Sequence, residues 1–169
     1  KARDEKLALE KAAKEQEIAL EKAKEAERLA KEKLEADLLA ASIPNLSDAS
    51  LQEATELLSK LDKALGKENA ANTWSELNSD YHNCLYSGAD RPQTQDLVNT
   101  LNKNADRYIR MHLLWAGGIS KAESEHNGIL ALCKARDVEN AVALLKQHIL
   151  GSRDEIKAFL NERESIISG

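Results

Sequence analysis

Apolar residues along this chain recur at three- and four-residue spacing almost throughout, the period of a helix laid against a core. No stretch alternates apolar and polar residues over strand length with turn signals at both ends. The pattern predicts helices over 1–42, 49–65, 72–87, 93–115, 120–134 and 138–164. That is an all-α fold, an antiparallel bundle of about six helices. The only prolines, Pro44 and Pro92, fall between periodic segments. Ser47 or Asp48 is placed to cap the second helix, and Gly66, Gly88 and Gly117-Gly118 to end the second, third and fourth. On the fourth helix the stripe runs Leu97, Leu101, Ala105, Tyr108, His112. Gly151-Ser152 marks a point where the last helix can bend.

The first helix carries a different pattern from the rest. Up to Ala30 its apolar positions are mostly alanines, a thin stripe through Ala12, Ala19, Ala23, Ala26 and Ala30. Alanine buries little area, so this makes a poor coiled-coil seam. Glu and Lys three and four apart, as in Glu21, Lys24 and Arg28, support a solvated helix. A real core face begins at Leu34, with Leu38, Leu39 and Ala41. We therefore expect residues 1–33 to form a projecting helical arm and 34–169 to form the domain. A partner-binding coiled coil is the alternative for the arm, which is either natural or an engineered extension.

Composition changes this picture little. With 42% hydrophobic residues, 169 residues suffice for one core. The net charge of −5 argues against a nucleic-acid surface. No apolar run approaches the ~20 residues of a membrane span, and the charged N-terminus has no signal-peptide segment. Cys84 and Cys133 are read as buried free thiols in a reducing cytoplasm. A start at Lys rather than Met reads as a fragment or a processed chain.

The polar residues on the apolar faces carry the chemistry. In NTWSELNSDYHNCLYSG, Trp74, Leu77, Tyr81 and Leu85 share a face, and Asn78 and His82 stand one turn apart beside it. His126 and His148 each sit on the apolar face of a later helix. One such histidine is ordinarily a core residue with one hydrogen bond. Three unpartnered imidazoles would each cost about 1–3 kcal/mol, which a shared metal ion removes. Their spacings match no local zinc motif, so core histidines and metal ligands both stand at this point. His112 is left as core or pocket lining.

The segment LNSDYHNCLYSGADRP resembles the L-(D/N)-x-x-F-H-x-x-L-x-x-x-x-x-N-P stretch of the FCD domain, the effector-binding half of FadR-type GntR transcription regulators. Tyr81 stands where Phe is usual, and Arg91-Pro92 where Asn-Pro is. SEHNGILALCKARDVENAVALLKQHI is similar to the family's E-H-x-x-I-x-x-A-x-x-x-x-D-x-x-x-A-x-x-x-x-x-H signature. LEADLLAASIPNLSDASLQEATELL resembles its first two helices, so three segments, from about Leu34 to Leu160, fall in the family's order. The resemblance implies that Asn78, His82, His126 and His148 are metal ligands, Asn78 standing where Asp is commoner. It implies a divalent ion, zinc first with nickel or manganese as alternatives. An effector carboxylate would fill the open positions, held further by Arg107 or Arg110.

The function expected is a cytoplasmic, homodimeric sensor domain binding a small mono- or dicarboxylate. It is not an enzyme, and it meets DNA only through a winged-helix domain that this stretch lacks. Two rivals remain: a metal-dependent, hydrolase-like enzyme, and a structural scaffold whose purpose is the arm. No acid is clearly placed as a general base, although Asp80 and Glu125 are near the histidines in sequence.

Overall fold

The computed structural model describes the backbone of residues 2–64, 70–115 and 119–167, and the side chains of 6, 11–64, 70–103, 121–152 and 154–158. The helices are α1 (Ala2–Ser42), α2 (Asp48–Ala64), α3 (Ala70–Tyr86), α4 (Pro92–Trp115), α5 (Ile119–Lys134) and α6 (Val138–Ile167). Short 3-10 turns occupy Ile43–Asn45 and Ser87–Ala89. No strand occurs among the described residues. The all-α bundle expected from the periodicity is what forms.

The chain divides into two compact units, Lys1–Lys33 and Leu34–Gly169. In the first, residues 11–24 are all exposed, and the apolar Ile18, Leu20 and Leu29 are about half exposed. Intrahelical ion pairs lie along it: Lys11 with Glu15 at 3.8 Å, Lys24 with Glu21 at 2.9 Å and Arg28 with Glu25 at 3.7 Å. Such solvated pairs support the helix by a few tenths of a kcal/mol each, about as much as an exposed helix receives.

In the second unit, α2 packs on α3 and α5, α5 on α6, and α4 on α3 and α6. Leu51, Ala54, Leu57, Leu58 and Leu61 form the buried stripe of α2. They join Leu38, Leu39, Tyr81, Leu85, Ile129, Cys133 and Leu145 in one core. Ser47 is the cap of α2, its Oγ accepting from the Ser50 amide at 3.0 Å. Helix α5 ends on Arg136, a non-glycine residue at φ 58°. The Asp137 amide donates to Leu132 O and the Arg136 amide to Cys133 O, the Schellman pattern. The left-handed backbone costs about 1 kcal/mol or more for a residue with a Cβ. The guanidinium offsets it by donating to the Ile43 carbonyl and, at 2.6 Å, to the Leu46 carbonyl. It thereby ties the α1–α2 turn to the end of α5.

Some expectations need correction, and others fall outside the described residues. Helix α4 is turned by one position: Leu97 is 48% exposed, while Val98 is fully buried. Leu97, Val98 and Leu101 make two overlapping stripes 100° apart, and packing on α3 selects the one through Val98. Helix α3 begins two residues early, at Ala70, and α6 runs unbroken through Gly151-Ser152 to Ile167. The stops at Gly66 and Gly117-Gly118, and the side chains of Ala105, Tyr108 and His112, lie outside the described residues.

Candidate metal centre

Helices α3, α5 and α6 each bring one histidine to a common point. His82, His126 and His148 are 7%, 1% and 7% exposed, and their candidate ligand nitrogens all lie within 4.8 Å of one another. Nε2 of His126 and Nε2 of His148 are 3.2 Å apart. Two nitrogens each about 2.1 Å from one ion sit ~3 Å from each other, so this pair has ligand spacing. Ring centroids are 5.2 Å apart for His82 and His126, 5.6 Å for His82 and His148.

The surrounding groups fix how the rings are presented. His148 Nδ1 is 2.8 Å from Glu125 Oε2, and both side chains are about one-tenth exposed. A carboxylate only accepts, so His148 donates from Nδ1, which leaves Nε2, the nitrogen facing His126, as the one available to a ligand. The Tyr81 hydroxyl donates to the His126 carbonyl at 2.8 Å, and its ring lies 5.0 Å from that imidazole. Tyr86 Oη stands 3.5 Å from His82 Nδ1. Burial, with the neighbouring His148 second, holds the His126 pKa well below the usual histidine range. A neutral imidazole is the form that binds metal.

Asn78 lies one turn before His82 on α3. Its Oδ1 is buried and has no hydrogen-bond partner among the described residues. An amide oxygen only accepts, so a cation at the histidines would satisfy it. Three imidazoles and one amide oxygen form a donor set suited to a borderline divalent ion, with positions left over on an octahedral one. The residues therefore fit a metal. Trp74, a further turn back, is 4% exposed and stacks on His126 with centroids 6.2 Å apart. Its indole N–H likewise has no partner among the described residues.

The model of the FCD domain matches residues 29–151. The chain belongs to the FCD domain family. Such a domain is the effector-binding half of GntR-type transcription regulators, and the relatives agree. This FCD domain is 27% identical over 131 residues to the uncharacterized HTH-type transcriptional regulator BphR of Paraburkholderia xenovorans (strain LB400). The match covers 75% of this chain and 54% of that protein, so the chain spans about half the length of the curated relative. The fold is that of a GntR-family regulator from Pseudomonas syringae pv. tomato str. DC3000, with TM-score 0.69 and 21% identity over 81% of this chain and 56% of that one. E. coli McbR/YncC shares it too, with TM-score 0.72 and 19% identity over 80% and 65%.

Of the residues singled out from sequence, Asn78, His82, His126 and His148 are described, and the three histidines converge. The side chains of Arg107 and Arg110 lie outside the described residues. Asp80 is exposed and lines a separate groove of about 470 Å³ with Ser50, Glu53 and Cys84. Glu125 binds His148. Sequence reasoning missed that contact, along with the roles of Tyr86 and Trp74. The four-residue steps Trp74–Asn78 and His82–Tyr86 were the available signal. No described helix is long and apolar enough to cross a membrane.

Proposed function

We propose that this chain is the ligand-sensing and dimerisation domain of a bacterial transcription regulator, taking a small carboxylate at a divalent metal held by Asn78, His82, His126 and His148. The observation that carries it is the convergence of three buried histidines, with Asn78, one turn before His82, holding a buried amide oxygen that has no partner among the described residues. All four ligands are neutral. The Glu125 carboxylate behind His148 offsets part of an ion's double charge, and the remainder, inside an apolar bundle, is costly unless an anion supplies the balance. The ligand is then a mono- or dicarboxylate rather than a neutral sugar. Zinc suits the imidazole-rich set first, with nickel or manganese as alternatives. Arg107 and Arg110, from α4, are candidate second contacts to the carboxylate.

In the parent regulator, ligand binding would alter the geometry of a homodimer in the cytoplasm and so the affinity of an attached DNA-binding domain for its operator, one equilibrium coupling two sites. Residues 1–33 are treated as an arm separate from the sensing domain. A metal-dependent hydrolase is disfavoured, because the acid nearest the histidines, Glu125, is engaged with His148 and not poised over an open position.

Calorimetry on metal-loaded protein is the test. Acetate and succinate should bind, and glucose should not. Asn78→Asp, which adds the missing negative charge internally, should tighten metal binding and weaken both acids. Equal binding of glucose, or tighter acid binding by the Asp variant, would overturn the assignment.

A further inference from the structure

Trp74 is a buried donor with no acceptor among the described residues. A buried tryptophan ordinarily places its N–H on an acceptor, since a donor removed from water without a partner is costly. Here the side chain is 4% exposed, and its Nε1 has no partner among the described residues. The ring lies against His126, 29° from parallel at 6.2 Å. Along α3, Trp74, Asn78 and His82 stand on successive turns of one face.

Two buried groups without partners among the described residues therefore stand one turn apart on α3, one of each kind. The Asn78 oxygen can only accept, and the indole N–H can only donate. They stand one turn apart, yet they do not satisfy each other. A cation alone would answer Asn78 and leave Trp74 unpaired. An anion alone would do the reverse. A metal ion with a carboxylate on it answers both: the ion meets the amide oxygen, and a carboxylate oxygen accepts the indole proton.

We infer that the Trp74 indole N–H donates a hydrogen bond to the anion seated at the metal centre, so that Trp74 is a specificity-determining contact for the ligand. This rests on the metal-and-carboxylate reading above. The contact is neutral and directional. It favours an anion with a second acceptor oxygen beside the one on the metal, as a carboxylate has and a halide lacks. It adds no charge, so the single negative charge of a monocarboxylate is not over-compensated at this contact.

The chain has two tryptophans, Trp74 and Trp115, so two indole N–H signals are expected in a ¹⁵N-labelled sample, and Trp74→Phe assigns them. The full chain is loaded with zinc for magnetic resonance and with cobalt(II) for visible absorption, and acetate and chloride are titrated into each. Acetate should shift the cobalt bands saturably and move the Trp74 indole proton downfield with the same midpoint. Chloride should shift the bands and leave that proton in place. Trp74→Phe, which keeps a stacking ring, should hold cobalt as tightly as the parent and bind acetate about tenfold more weakly. If acetate shifts the cobalt bands while the indole signal and the Phe variant's acetate affinity do not change, Trp74 plays no part and only this inference falls. If the cobalt bands ignore acetate altogether, the carboxylate reading falls with it. Should the Phe variant fail to fold, Trp115→Phe assigns the two signals instead and the indole titration decides.

Discussion

With a metal held as proposed, Glu125 would contribute to its affinity through His148 without touching the ion, and its removal has a calculable effect. The carboxylate lies 2.8 Å from His148 Nδ1, with the two side chains 11% and 9% exposed, so water can replace little of the contact. Glu125→Ala leaves that N–H buried and frees the ring to rotate or to adopt the other tautomer. A hydrogen bond to a charged group contributes about 1.5–3 kcal/mol net. Converted to affinity, this is a loss of about 10- to 100-fold for the metal, the usual effect of removing a histidine's outer partner. Glu125→Gln keeps an acceptor oxygen and loses the charge, so the remaining neutral bond leaves a deficit of about 2- to 10-fold. Competition against a chromophoric chelator at fixed pH measures both, with far-UV circular dichroism to confirm that each variant is helical. Because the contact is nearly buried, the ranking should persist at high salt. Parent-like affinity in Glu125→Ala, or a weaker Gln than Ala variant, would refute the orienting role.

Three other outcomes follow from the structure. Gly88→Ala should destabilise by about 1–3 kcal/mol or more, because its Cβ would stand 2.5 Å from the Ser42 carbonyl and 2.9 Å from the Leu46 amide nitrogen. Gly151→Ala meets the Lys121 ammonium at 3.1 Å, the end of a half-exposed side chain paired with Glu155 that can shift outward, and should stabilise α6 by about 0.5–1 kcal/mol; a raised melting temperature for the Gly88 variant or a lowered one for the Gly151 variant would contradict the respective expectation. His126 titrates in the unfolded chain near pH 6.5 but only well below that when folded, so the unfolded state binds more protons as pH falls. The metal-free domain should thus be fully stable with respect to this group above about pH 6.5 and lose up to about 1.4 kcal/mol per pH unit below it; a melting temperature flat from pH 7 to 5.5 would say otherwise. Deleting residues 1–33 should leave the melting temperature of the rest nearly unchanged, since the described side chains there are largely exposed; a large drop would show that the arm packs.

Much of the fold was legible because helix ends carry local chemistry. Ser47, Pro92 and the turn after Lys134 stand where the periodicity breaks, and the helices start or stop there. The apolar faces placed His82, His126 and His148 in the core, while their meeting at one point was implied only by the resemblance to the FCD family. What stayed hidden depends on partners distant in the chain. Leu97 and Val98 are equally apolar, and only the packing of α4 on α3 decides between them. Arg136 takes a left-handed conformation that sequence assigns to glycine or asparagine, and its compensation lies about ninety residues away at Ile43 and Leu46. Glu125 reaches the next helix, 23 residues on, and nothing in its own neighbourhood announced the contact. That Trp74 and Asn78 each hold a buried polar atom without a partner among the described residues is likewise visible only once burial is known.

Elemental analysis of the full chain, purified without chelators and without a metal-affinity column, tests the metal centre most directly. The arrangement of Asn78, His82, His126 and His148 predicts close to one divalent ion per chain, and loss of most of it in a folded His82→Ala variant. A folded, metal-free native protein that also refuses zinc, nickel and manganese on addition would contradict it, and the three histidines would then be core residues.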